Sequence, residues 1–465
     1  MKNTLYKLTV ISFALSLVLS CINVRPVAPN YNDEISGLLH SGELAWQLSG
    51  TDDVVRLFGQ PSEIKTEKDG GMELINYNYA NNLVFRFSRA REGATGFSHA
   101  GLCFVKIGNN SYSRKKGELF VLKSVFDLDK LNGYEMLSNC DISQLDLRDF
   151  PMEKLLDLEF NSNTIWPPKN CLPPDFDPSQ ILEFGENPGL GIRKLHANGL
   201  DGRGVDIAIM DQPILRQHIE YSGNLKVLAE MDVDGCSPAM HGSLVSSIAV
   251  GKSCGVAPKA TLYYIALPMW LQTNEYYIKG LEHILKSNRS GLTNIKVVSI
   301  STEFTSNLLY PELKAILDEV EKQGILVLTC NETPFNDEKY SLHNLGVLRP
   351  LRDGDRESPY DYALGAYTDG TEILLTPGDR RTHASETGEH TYVFDVVGGR
   401  SSAPPWLAGL AAIGLQVNPK LTPCEIRKHL LDTATKTQFG TVVNPAEFVK
   451  ACSKHETSEQ ARSNN

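Results

Sequence analysis

Zinc-ligand spacing is missing from this chain. It has no CxxC and no HxxxH pattern, which argues against the usual zinc sites. An excess of positive charge is missing as well. Lys and Arg number 45 against 56 Asp and Glu, for a net charge of −11. The acidic residues are spread along the chain rather than blocked, which favours solubility and argues against a nucleic-acid partner. No membrane-spanning run stands at the N-terminus. The apolar stretch there, Leu8 to Leu19 behind Lys2 and Lys7, is shorter than the ~20 residues a spanning helix needs.

That stretch reads instead as an export signal ending at Ser20-Cys21. Val18-Leu19-Ser20-Cys21 resembles a bacterial lipobox, with Leu17 one place early. The resemblance makes Cys21 a lipidation site that ties the protein to an envelope membrane. The alternative is ordinary signal cleavage and a secreted or periplasmic protein. Eight cysteines remain after Cys21. An even number permits disulfides in an exported chain, but their scatter does not require them.

At 465 residues the chain is too long for one ordinary domain. The pattern suggests a signal peptide over 1–20 and a tether over 21–50. A small α+β domain is expected over 51–135, with a short helix near Asp53 to Phe58 and a hairpin across Ala80-Asn81-Asn82. It resembles small envelope-lipoprotein domains of the BamE-like kind. Residues 136–178 read as a short Leu/Asp-rich repeat coil, similar to a pentapeptide repeat, followed by a Pro-rich linker. A larger domain is expected over 179–452 and a disordered tail over 453–465. Within that larger domain, apolar runs at 205–210, 262–267, 297–300 and 325–329 alternate with helical patterns. Ile278, Leu281 and Leu285 share one helical face; Leu313, Ile316, Leu317 and Val320 share another. Such alternation predicts an α/β fold, a parallel sheet covered by helices on both faces. Functional residues then belong at the carboxyl ends of strands.

Acyl transfer by serine needs a nucleophile, a base, a group that orients the base, and donors for the oxyanion. Four segments offer them. Val205 to Met210 delivers Asp211 at a strand end. His241-Gly242 begins a helix. Ile325 to Cys330 delivers Asn331. Gly399-Arg400-Ser401-Ser402-Ala403-Pro404-Pro405 opens an apolar helix. Each alone has a plainer explanation: a strand-end Asp, a helix-capping or core histidine, a turn Asn, a serine N-cap.

Together, over about residues 180–452, they resemble the subtilisin family, whose order is Asp, His, Asn, Ser. Gly399, Ser401, Ala403, Pro405, Ala408 and Gly409 match that family's Gly-x-Ser-x-Ala-x-Pro-x-x-Ala-Gly frame, which selects Ser401 over Ser402. The resemblance implies an endopeptidase acting on polypeptide substrates. Ser401 would be its nucleophile, His241 its base and Asp211 the orienting group. Asn331 and the Ser401 N–H would form the oxyanion hole. It also implies substrate binding at Ser299 and Ser301, where the family has Ser-x-Gly. No cofactor is required; family members often bind structural calcium, but no calcium loop stands out here. The chain departs from the family at Gln212-Pro213, Cys330, Arg400 and Ser301. Those departures sustain a second reading, a catalytically weak binding or scaffolding lipoprotein. An esterase or transacylase on the same site is a third.

Overall fold

The computed structural model describes Leu38 and residues 51–69, 72–79, 83–90, 101–107, 110–112 and 120–121. It then describes 137–463 apart from 272, 305–308, 332–341, 343, 352–355 and 367. The expected signal segment, Cys21 and nearly all of the expected tether lie outside these residues. Two compact units divide the chain, Met1–Pro178 and Ser179–Asn465.

In the first unit, helix Thr51–Phe58 accompanies an antiparallel sheet whose strands follow in chain order: Glu63–Asp69, Met72–Asn78, Leu83–Ala90, Gly101–Ile107 and Asn110–Tyr112. Val54, Leu83, Phe85 and Phe87 bury its apolar side. Further on, the chain turns every five residues. The N–H groups of Cys140, Leu145 and Phe150 donate to the carbonyls of Leu137, Ile142 and Leu147, each three residues back. Cys140, Leu145, Phe150, Leu155 and Phe160 are buried at the same interval. The Pro-rich stretch that follows is packed rather than loose. Trp166 lies edge-on to Phe160 at 5.2 Å and tilts against Phe176 at 5.1 Å.

The second unit is built on a five-stranded sheet. Its elements are β1 (Asp206–Asp211), β2 (Leu225–Glu230), α1 (Met240–Val250), β3 (Thr261–Ala266), α2 (Asn274–Arg289), β4 (Ile295–Glu303), α3 (Tyr310–Lys322), β5 (Leu326–Asn331), β6 (Leu345–Pro350) and α4 (Ala403–Val417). The sheet order is β2-β3-β1-β4-β5, with every pairing parallel. Parallel neighbours need crossovers, and the helices between strands supply them. A second, mixed sheet has β6 between Tyr362–Leu364, antiparallel, and Leu374–Pro377, parallel.

β1 lies in the middle of the main sheet, so both of its faces are covered. Ile207 and Ile209 point into one core with Val245, Ile248, Trp406 and Leu410. Ala208 and Met210 point into the other with Leu281, Ile284, Leu313 and Leu317. Each fully buried Leu, Ile or Met contributes about 1.5–3 kcal/mol, so β1 is held from both sides. α4 is buried along almost its whole length, and it packs against α1 because the contact is small-sided. A Cβ on Gly409 would lie 2.6 Å from Val256 Cβ and 3.0 Å from the Ala249 carbonyl oxygen.

Cys171, Cys236, Cys254 and Cys452 are free thiols. The final helix, Pro445–Ser463, runs past residue 452 into the segment that the sequence suggested was a tail. Glu456, Glu459, Gln460, Ala461 and Arg462 are all good helix formers.

Candidate active site

Asp211 is the last residue of β1, in register with Ala266, and its carbonyl accepts the Leu267 N–H at 2.9 Å. Its side chain is wholly buried. Oδ1 takes two hydrogen bonds, from the Gln212 N–H at 2.7 Å and from His241 Nδ1 at 2.7 Å. That second contact fixes the imidazole's orientation and leaves Nε2 as its outward nitrogen. His241 stands in the first turn of α1 and its side chain is 18% exposed, enough for a reactant to reach the ring.

Burial alone would lower the pKa of His241. The Asp211 charge and its hydrogen bond more than offset that, so the imidazole is held above its ordinary range. A histidine so placed takes up a proton more readily than a free one.

The helix start is pressed against the loop after Asp211, and this explains the glycine beside the histidine. A Cβ on Gly242 would lie 2.5 Å from Tyr264 Oη and 2.6 Å from the Gln212 carbonyl oxygen. That carbonyl accepts the Tyr264 hydroxyl, and the Pro213 carbonyl accepts the Ala239 N–H at 2.7 Å. Gln212-Pro213, a departure from the family pattern, is therefore pinned by its backbone.

Ser401 lies in a 3-10 turn, Arg400–Ser402, that leads into α4. The turn packs against α1, β4 and β6, which brings it beside the His241 helix. Gly399 enters it at φ 63°, the left-handed region that favours glycine. The two serines differ sharply. Ser402 is 1% exposed and its hydroxyl donates to the Gly398 carbonyl at 3.0 Å. Ser401 is partly exposed, and its hydroxyl has no hydrogen bond among the described residues. No bond joins it to His241 either; such contacts are often long before substrate binds.

Side chains hold the turn in place. Asp379, buried, accepts the Ala366 N–H at 2.6 Å and the Gly398 N–H at 3.2 Å. Burial, with Asp395 nearby, pushes the Asp379 carboxyl up to about 7, against the pull of those N–H groups and of Arg349. Arg400 lies 3.2 Å from Glu372, whose carboxylate also accepts the Asp369 and Gly370 N–H groups. Ser301 donates its hydroxyl to the Ser401 carbonyl at 2.8 Å. Nothing in the sequence pattern singled out Asp379, Glu372 or Tyr264. Their links to Gly398, Arg400 and Gln212 are long-range, and none falls in a recognisable motif.

The hydroxyls of Ser299 and Ser301, expected along a substrate groove, are turned inward. Ser299 is fully buried beside Ile209 and Leu328, and Ser301 is 5% exposed with its hydroxyl on the Arg400–Ser402 turn. Asn331 closes β5 in register with Glu303; its side chain lies outside the described residues. No group of three or more His, Cys, Asp or Glu able to hold a metal ion occurs among the described residues.

A model of the subtilase family matches residues 368–447, the segment that carries Ser401. The chain is 26% identical over 281 residues to subtilisin amylosacchariticus of Bacillus subtilis subsp. amylosacchariticus, covering 54% of this chain and 68% of that protein. It is 26% identical over 264 residues to a subtilisin of Bacillus pumilus, covering 52% and 87%. Among solved structures, a cold-adapted subtilisin-like serine proteinase aligns with 18% identity and a TM-score of 0.39, covering 52% of this chain and 89% of that one.

Proposed function

We propose that this chain is a serine endopeptidase of the subtilisin-like kind, with Asp211, His241 and Ser401 as its triad. The observation that carries the reading is the 2.7 Å contact from His241 Nδ1 to a fully buried Asp211, beside a turn whose one uncommitted serine hydroxyl is that of Ser401. His241 Nε2 takes the Ser401 proton as Oγ attacks the peptide carbonyl. The Ser401 N–H, at the start of α4, faces the developing negative charge, and the Asn331 amide is assigned as the second donor. The C–N bond then breaks, and His241 returns the proton to the leaving amine. A water molecule, activated by the same histidine, releases the acid and restores Ser401.

The test is labelling with a fluorophosphonate followed by peptide mapping. Label is expected on Ser401 and not on Ser402. It should vanish in Ser401→Ala, with peptide hydrolysis lower by on the order of a million-fold. Replacing Asn331 with Ala is read in the same assay as slower labelling. A folded protein that takes no label where a control serine peptidase does would overturn the enzyme and favour the scaffolding reading.

We place the protein at an envelope membrane through lipid on Cys21, on the strength of Lys2, Lys7, the apolar run and Ser20-Cys21. No helix among the described residues is long and apolar enough to cross a membrane. Cys21→Ala should release the protein from the membrane fraction; unchanged fractionation would refute the anchor.

A further inference from the structure

The sequence after Ser401 creates a local deficit. In a helix, the carbonyl of residue i is met by the N–H of residue i+4, or of i+3 where the turn is tighter. For Ser401 those positions are Pro405 and Pro404. Neither has an N–H to give. Arg400 escapes the problem, because the Ala403 N–H donates to its carbonyl. Ser401's carbonyl has no such recourse within its own helix, and leaving a buried carbonyl unmet is costly. The donor comes instead from across the sheet: Ser301 Oγ, 2.8 Å away and one hundred residues earlier in the chain.

We infer that Ser301 is a positioning residue for the nucleophile, supplying the hydrogen bond that the Pro404-Pro405 pair withholds from the Ser401 carbonyl. The inference deepens the proposed peptidase reading and rests on it. One departure from the family frame finds a cause here. Ser301 stands where the frame has a glycine, which would offer no side-chain donor, and its hydroxyl is spent on the turn rather than on substrate. β4 lies beside the central strand of the sheet, with Val297, Val298 and Ile300 fully buried. The tether therefore ties the nucleophile's backbone to one of the most firmly held strands in the unit. With Gly398 held by Asp379 and Ser402 bonded back to Gly398, it fixes the segment on the far side of the reactive hydroxyl.

The experiment compares the full-length wild type with Ser301→Ala, Pro404→Ala and the double variant. Two measurements are made on each: kcat and KM for a peptide substrate, and backbone hydrogen exchange across Arg400 to Ala403. Ser301→Ala should lower kcat about tenfold, the scale of one lost hydrogen bond, with KM changed less than twofold. Exchange across the turn should quicken. Pro404→Ala restores an N–H at the i+3 position. In the Ser301→Ala background it should recover most of kcat and slow exchange again, while alone it should change little. Recovery through a residue on a different element is not expected of a merely packing role for Ser301.

A Ser301→Ala protein with unchanged kcat and unchanged exchange would overturn the inference. So would a rise in KM at constant kcat, which would return Ser301 to substrate binding. Failure of Pro404→Ala to rescue either measurement would also overturn it. If the wild type neither hydrolyses peptide nor takes label, the peptidase reading falls. Faster exchange in Ser301→Ala, reversed by Pro404→Ala, would still establish the tether.

Discussion

The two halves of the site are built by different means. The Asp211–His241 half is held largely by backbone. Gln212 and Pro213 offer carbonyls to Tyr264 and Ala239, and the Gln212 N–H caps the carboxylate. Such contacts depend little on which side chains occupy the loop, so Gln212-Pro213 can depart from the family pattern without disturbing the pair. The Ser401 half is held by side chains: Asp379 on Gly398, Ser301 on Ser401, Glu372 on Arg400 and Ser402 on Gly398. Substitutions there act on the nucleophile's position directly. One half tolerates a changed sequence, while the other records its changes as new contacts.

The largest test of this contrast is Asp211→Asn. It leaves the backbone contacts of its half in place and removes only the charge. Turnover should still fall on the order of ten-thousand-fold, because an amide at 211 favours the wrong imidazole tautomer and no longer stabilises the imidazolium. The acid limb of activity should move too. Catalysis needs neutral His241, so wild-type activity rises with pH through a midpoint above the ordinary histidine value. Without Asp211 only the lowering effect of burial remains, and the midpoint should fall. Stability follows the same linkage. A histidine whose folded pKa is raised contributes most below its unfolded value and loses that contribution as pH rises through the folded one. The stability gap between wild type and variant should therefore close on the alkaline side. A pH–rate profile with an unmoved midpoint would show that Asp211 does not set the histidine's charge.

A smaller effect should come from Asp379→Asn in the other half. The carboxyl titrates near 7, facing Asp395, Arg349 and two backbone N–H groups. Its folded pKa is raised, so its contribution is fully present below the ordinary carboxylate range and is lost as pH climbs through about 7. Wild-type stability should decline across that window by roughly 4 kcal/mol from this group. The variant should lack that decline, starting lower at acid pH because an amide has one acceptor for two donors. Denaturant unfolding at several pH values measures it. Parallel curves for the two proteins would mean that the carboxyl does not titrate there.

Much of the catalytic unit was legible beforehand. The runs at 205–210, 262–267, 297–300 and 325–329 mark β1, β3, β4 and β5, because strands buried on both faces are apolar without interruption. Leu281, Leu313, Leu317 and Val320 are buried as helical periodicity requires. Asp211 and His241 meet across thirty residues of chain as their order suggested. What escaped was decided by long-range pairing. Ser301 falls where the pairing register shifts, between Ile300 and Glu303. The links from Asp379, Glu372 and Ser301 to the nucleophile turn join residues with no shared period. Cys21 and the side chain of Asn331 lie outside the described residues and stand as proposals.

Strand β1 ends in the carboxylate and is gripped by two separate cores, Ile207 and Ile209 in one, Ala208 and Met210 in the other. Heat that loosens either layer reaches Asp211 without waiting for the other to melt. The working lifetime of the active molecule at elevated temperature is then limited by the weaker layer, as a rate rather than an equilibrium. Reinforcing the stronger layer leaves that half-life where it was. Consolidating the weaker one, on whichever side of the sheet it lies, is what lengthens it.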